Sequence, residues 1–176
     1  MSDITKNSHA GIFLGLGTNL GNREKNLQRA LQIIKNHETI RLVKTSGFYR
    51  SKPWGVASQP WFLNAVCEIA TQLSPGKLLK ELKEMEKVLG RKPKGKKWSP
   101  REIDLDILIY RNIVMETPEL IIPHQYLKDR LFALIPLLEI APETTHPTTG
   151  KRLEIYCQEL KDKEPAESCL PYKPRV

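Results

Sequence analysis

Asp104 and Asp106 stand two residues apart in the run Arg101-Glu102-Ile103-Asp104-Leu105-Asp106-Ile107-Leu108-Ile109. The alternation predicts a strand with Ile103, Leu105, Ile107 and Ile109 on one face and both aspartates on the other. Two residues of strand span about 7 Å, so the two carboxylates serve one small volume. Side by side they repel, which raises one pKa unless a cation joins them. Mg²⁺ suits such a pair, because it takes one or two carboxylates together with substrate phosphates. An amphipathic edge strand with its acids in water has the same pattern, and the aspartates alone do not choose between the two.

The stretch that feeds this strand is strongly basic. Lys87, Arg91, Lys92, Lys94, Lys96, Lys97 and Arg101 fall within fifteen residues that contain no acid, in a chain whose net charge is +8. Such a run attracts anions, whether a nucleic-acid backbone, an acidic membrane or a phosphorylated small molecule. On its own it reads equally well as a solvated loop. Next to paired aspartates it is more specific, since phosphoryl transfer needs both metal and guanidinium groups where charge develops on phosphate oxygens. The expectation is a metal-dependent enzyme acting on a phosphate ester or anhydride. Two glycine motifs match known phosphate sites only in part. Gly15-Leu16-Gly17-Thr18-Asn19-Leu20-Gly21 places its third glycine one residue late for a dinucleotide fingerprint, so a Gly/Asn turn is expected there. Gly90 to Lys97 fits G-x-x-x-x-G-K, but Lys97 occupies the Ser/Thr position and the segment runs from a helix towards a strand.

The elements that must position these groups alternate along the chain. Ile12 to Gly17 reads as a short strand. Asn22 can cap a helix from Arg23 to about Asn36, with Leu27, Ala30, Leu31 and Ile34 on one face. Ile40 to Arg50 is rich in β-formers, Ser51 to Pro60 is a loop, and Phe62 to Leu73 is another strand. Ser74-Pro75 starts a helix presenting Leu78, Leu79, Leu82, Met85 and Leu89, which Gly90 closes. After the basic loop comes the strand Glu102 to Tyr110, with Ile113-Val114 as its expected partner across an Arg111-Asn112 turn. Tyr126 to Ile140 is helical in period but contains Pro136, which predicts two short helices. The order β-α-β-β-α-β is that of an α+β, ferredoxin-like (split βαβ) fold, an antiparallel-dominated sheet with helices packed on it. Residues 1–10 read as a frayed start, 11–160 as a single catalytic domain, and 161–176, with Pro165, Pro171 and Pro174, as a loose tail.

The chain resembles the 6-hydroxymethyl-7,8-dihydropterin pyrophosphokinases of folate biosynthesis. The residues that carry the likeness are Gly15 to Gly21, Ser46-Gly47-Phe48-Tyr49-Arg50-Ser51, Gln59-Pro60-Trp61-Phe62-Leu63-Asn64 and Leu89-Gly90-Arg91. They continue with Trp98-Ser99-Pro100-Arg101-Glu102-Ile103-Asp104-Leu105-Asp106-Ile107, Ile122-Pro123-His124, Arg130 to Leu134 and Pro136 to Pro142. The resemblance implies transfer of the β,γ-pyrophosphoryl group of ATP to the pterin hydroxymethyl group, with release of AMP. It also implies two Mg²⁺ ions held by Asp104 and Asp106, with Arg91 and Arg101 steadying the moving phosphates. By the same likeness Asn64 recognises the rim of the pterin, Phe62 and Phe132 sandwich its faces, Trp98 packs over it, and Ser51 and Trp54 belong to its loop. His124, Arg130, Lys94, Glu86 and Ile107 fall to the ATP side. Ser51-Lys52-Pro53 departs from the family's usual Thr-Pro-Pro, and Gln125, Glu119 and Pro93 replace residues found on the ATP side in some members.

Composition limits the remaining classes. With 40% hydrophobic and 27% charged residues, the chain is neither disordered nor fibrous. No apolar run reaches about 18 residues, and no secretory signal opens the sequence. Cys67, Cys157 and Cys169 lack C-x-x-C spacing, which fits a reduced, cytoplasmic setting. A monomer acting on small molecules, with no nucleic-acid or membrane partner, is expected. The alternatives are a nucleotidyltransferase of polymerase-palm type, which would release pyrophosphate, and an RNA-binding module using the basic loop.

Overall fold

Two polar caps set the first two helices on the sheet. Asn22 Oδ1 accepts the Lys25 N–H at 3.0 Å and begins α1 (Arg23–Lys35). Ser74 Oγ accepts the Lys77 N–H at 3.4 Å and begins α2 (Pro75–Val88), with Pro75 at its first turn. Gly90 follows α2 with φ +95°, a backbone state that glycine adopts without a Cβ penalty. The computed structural model describes residues 11–53, 58–91 and 100–173.

Around these helices run β1 (Ile12–Thr18), β2 (Ile40–Thr45), β3 (Tyr49–Ser51), β4 (Phe62–Thr71) and β5 (Asp104–Tyr110). They are followed by β6 (Met115–Glu116), β7 (Ile121–Ile122), α3 (Leu131–Ile140), α4 (Leu153–Lys161) and β8 (Cys169–Pro171). The main sheet is ordered β5-β1-β4-β3-β8, with β2 also on β4, and its pairings are antiparallel. Strand β4 lies between β1 and β2, which is the split βαβ arrangement predicted above. One face packs Ile12, Leu14, Leu105 and Ile107 against Leu27 and Ile34 of α1 and Leu78 and Leu82 of α2. The other packs Phe13, Val66 and Leu108 against Leu131, Leu134 and Leu137 of α3 and Leu153 of α4.

Four expectations need correction. The alternation along β5 breaks, because Leu14 pairs with Ile107 while Phe13 pairs with Ile109. Leu108 is the extra residue of this bulge, and Ile109 therefore joins the second core instead of the one containing Ile107. Ile113-Val114 does not pair with β5; both are exposed, and β6 pairs with β7 instead. Arg111 takes φ 52° in the turn after β5, and the chain leaves the strand's edge there. Pro136 does not divide the helical region, since α3 runs through it and the break falls at the extended Arg130. Burial of Leu131, Ala133, Leu134 and Leu137 around the proline outweighs one lost backbone bond. Finally, residues 161–173 are not loose. A turn at Ala166–Ser168 leads into β8, which occupies the outer edge of β3.

Candidate active site

The site is floored by glycine. Gly17 of β1 lies in register between Asp104 of β5 and Asn64 of β4, and Gly15 between Asp106 and Val66. A Cβ on Gly17 would stand 3.2 Å from Asn64 Oδ1, and one on Gly15 3.3 Å from Leu108 Cδ2. With no side chain at Gly15 or Gly17, the carboxylates of β5 and the amide of β4 look across a shared cavity of about 320 Å³. Gly15 and Gly17 thus lie inside the strand expected over Ile12 to Gly17, and the Gly/Asn turn follows it from Asn19. That asparagine is buried and ties the exit of the basic loop to the floor. Its Oδ1 accepts the Arg101 N–H at 2.9 Å, its own N–H donates to Arg101 O at 3.2 Å, and its Nδ2 donates to Gln59 Oε1 at 3.1 Å. Sequence reasoning missed Asn19 as a site residue; the signal was a polar side chain in an otherwise apolar and glycine-rich run.

The two aspartates are electrostatically unlike. Arg91 Nη1 donates to Asp104 Oδ1 at 2.7 Å and Arg101 Nη1 to Oδ2 at 2.6 Å. Burial works against ionisation of Asp104, but Arg101 and then Arg91 outweigh it and hold its carboxyl below the ordinary value. Asp106 accepts no hydrogen bond from another described side chain. Burial, followed by the neighbouring Asp104 charge, pushes its carboxyl up to about 7. Glu86 backs this arrangement from α2. It accepts the outward Leu105 N–H at 2.7 Å, holds Lys83 Nζ at 3.0 Å, and pairs with Arg91. It therefore closes the free edge of β5 and aims Arg91 at Asp104.

These residues suit a divalent cation. Burial and then the ionised Asp104 disfavour the charged form of Asp106, and a hard cation would offset both. Among the described residues no cluster of three or more His, Cys, Asp or Glu side chains is assembled for a metal. Two carboxylates match Mg²⁺ that completes its shell with water and phosphate oxygens.

The opposite wall is built for a flat, polar-rimmed molecule. Asn64 Nδ2 donates to Ser51 Oγ at 2.8 Å, which fixes the amide. Phe62 and Phe132 both line the cavity, from β4 and α3. The guanidinium of Arg130 lies 4.8 Å from the Tyr126 ring centre and 5.5 Å from that of Phe132. His124 donates its N–H to Leu108 O at 2.8 Å, and its Nδ1 accepts from Tyr126 N at 3.2 Å. Burial and then Arg130 push the imidazole down to about 4, so at neutral pH it is uncharged, with its hydrogen on Nε2 as a donor.

The cavity thus brings together Arg101, Asp104, Asp106, Phe62, Asn64, His124, Arg130 and Phe132. Arg91, Glu86 and Ser51 support it through the contacts above. Ile107, expected on the ATP side, points into the core beneath the sheet and is 2% exposed. Lys94, Trp98 and Trp54 lie outside the described residues.

The family model of 7,8-dihydro-6-hydroxymethylpterin-pyrophosphokinase (HPPK) matches residues 13–142. The chain belongs to this family. It is 41% identical over 163 residues to the 2-amino-4-hydroxy-6-hydroxymethyldihydropteridine pyrophosphokinase of Aquifex aeolicus, covering 93% of this chain and 96% of that protein. The enzyme of the same name from Haemophilus influenzae is 42% identical over 146 residues, covering 83% of this chain and 91% of the relative. Among solved structures, a Plasmodium falciparum HPPK-DHPS with pteroate superposes with a TM-score of 0.71 at 12% identity. That likeness concerns the fold; it covers 88% of this chain and 45% of the larger protein.

Proposed function

We propose that the protein transfers the pyrophosphoryl group of ATP to the hydroxymethyl oxygen of 6-hydroxymethyl-7,8-dihydropterin and releases AMP, using two Mg²⁺ ions held by Asp104 and Asp106. The observation that carries this reading is the single cavity in which paired aspartates and arginines face a fixed amide and two phenyl rings across a bare glycine floor. A pterin needs that second half, because it is flat and polar only at its edge. A triphosphate needs the first.

In this reading Asn64 meets the pterin rim with its amide, and Phe62 and Phe132 cover the ring faces. The hydroxymethyl group then points over Gly15 and Gly17 towards β5. Bond formation joins the pterin oxygen to the β-phosphorus as the bond between that phosphorus and the α-bridging oxygen breaks. AMP departs, and the hydroxyl proton is lost to solvent. Mg²⁺, when bound, neutralises phosphate charge and favours the ionised acceptor oxygen. Arg91 and Arg101, both paired with Asp104, would supply positive charge to the moving group. His124 offers a neutral N–H donor and Arg130 a charge that π-faces hold in place. Positioning and charge neutralisation supply most of the rate in such transfers.

The RNA-binding alternative is disfavoured, since helices pack on both faces of the sheet and the cavity left between them carries Asp104 and Asp106, where an RNA-recognition sheet needs an open face of aromatic residues. No helix among the described residues is long and apolar enough to cross a membrane. The reading assigns residues 11–160 to one catalytic unit acting as a cytoplasmic monomer. Chromatographic identification of the nucleotide product tests it. AMP that requires both the pterin and Mg²⁺ supports the reading; ADP, or turnover that survives a chelator, contradicts it.

A further inference from the structure

Strand β3 is three residues long, yet it shapes much of the acceptor wall. Ser51 fixes the Asn64 amide, and the next residue, Lys52, lines the cavity. On its inner side β3 pairs with β4; on its outer side it pairs with β8, with Arg50 opposite Leu170 and Ser51 opposite Cys169. The ladder extends past both ends of the strand. Tyr172 N–H donates to Phe48 O at 2.8 Å, and Lys52 N–H donates to Ser168 O at 3.2 Å. The Lys52 side chain reaches the same segment, with Nζ 3.5 Å from Glu167 Oε1.

The segment is anchored away from the cavity. Cys169 is buried in the core under α3 and α4, and the Tyr172 hydroxyl donates to Glu24 of α1 at 3.2 Å. We propose that residues 166–172 are a positioning strap for the pterin wall. Pairing with β3, they fix Ser51, through it the Asn64 amide, and the backbone of Lys52. The proposal rests on the pyrophosphokinase reading above and gives a role to a segment beyond residue 142, where the family match ends.

The backbone ladder carries the effect. The Lys52–Glu167 pair has side chains 44% and 58% exposed, and such pairs contribute little. Without β8, a strand of three residues would be held on one side only, and the serine that orients Asn64 would move with it. Small misplacements of a substrate-orienting group are costly. The carboxylates and arginines sit on β5 and its flanks, separated from β3 by β4 and β1, so the effect falls on the pterin and spares ATP.

Leu170→Pro in the full-length chain is the test. Alternation along the ladder directs the Leu170 N–H at β3, and proline removes it. Leu170→Ala keeps the N–H and serves as the control. The expected result for Leu170→Pro is a rise of about tenfold in KM for the pterin, with KM for ATP and kcat within about twofold. Leu170→Ala should behave as wild type. Equal losses for both substrates, a fall confined to kcat, or equal damage from alanine and proline would overturn the strap. Hydrogen exchange on the ligand-free wild type decides the matter even if the proline variant does not fold: the Lys52 and Tyr172 amides should be protected, and loop-like exchange there overturns the proposal. Absence of AMP formation by the wild type would instead remove the activity on which the proposal rests.

Discussion

Asp106→Asn should stabilise the metal-free protein while abolishing its Mg²⁺-supported reaction. Burial and the Asp104 charge raise the Asp106 carboxyl from 3.8 to about 7 in the fold. A group with a raised folded pKa binds its proton more tightly in the native state. Its cost to stability is therefore absent below the unfolded pKa, grows as pH rises, and is complete above about 7. A shift of this size corresponds to about 4 kcal/mol as a ceiling, at about 1.4 kcal/mol per unit. The side chain keeps some solvent access in the cavity, which reduces the expected gain to about 1–2 kcal/mol. Urea unfolding in the presence of a chelator, at pH 5 and pH 8, is the assay. The variant should exceed wild type at pH 8 and show a smaller advantage at pH 5, with unchanged m-values. Added Mg²⁺ should raise the stability of wild type and not of the variant. A variant less stable than wild type at pH 8, or an advantage independent of pH, would refute the reasoning.

Asp104→Asn should act in the opposite direction. It leaves Arg91 and Arg101 without their shared carboxylate and should cost about 1–2 kcal/mol by urea unfolding at pH 7. Because the folded pKa of Asp104 lies below its unfolded value, its contribution in wild type is present above about 4 and is lost as pH falls through the folded value. Arg101→Ala should lower kcat by about a hundredfold with a smaller change in either KM, measured as AMP release, since its charge is needed most in the transition state. Asn19→Ala should lower kcat/KM by about tenfold while circular dichroism stays unchanged, because it frees the backbone of Arg101 without touching either substrate. Equal activity of Asn19→Ala and wild type would dismiss the tie between floor and loop.

The β-α-β-β-α-β pattern was legible because two caps, two amphipathic helices and the alternation at Asp104 and Asp106 each bear a local signature. The paired aspartates were legible for the same reason. Other features depend on long-range contacts that no local pattern records. The bulge at Leu108 reflects how β5 meets β1, and it sends Ile109 to the opposite core. The reason for glycine at positions 15 and 17 of the strand was not legible, because their use is to leave room beside Asp104, Asp106 and Asn64, which are distant in sequence. Strand β8 escaped notice because three residues among prolines have no period; only the open edge of β3 explains it. Pro136 shows local propensity yielding to the burial of its neighbours.

Phosphorus NMR of the protein with ATP, Mg²⁺ and 6-hydroxymethyl-7,8-dihydropterin tests the central claim most directly. One AMP and one pterin diphosphate should appear for each pterin consumed, with neither formed when Asp106→Asn replaces wild type. Release of free pyrophosphate, or of ADP with a pterin monophosphate, would contradict the account.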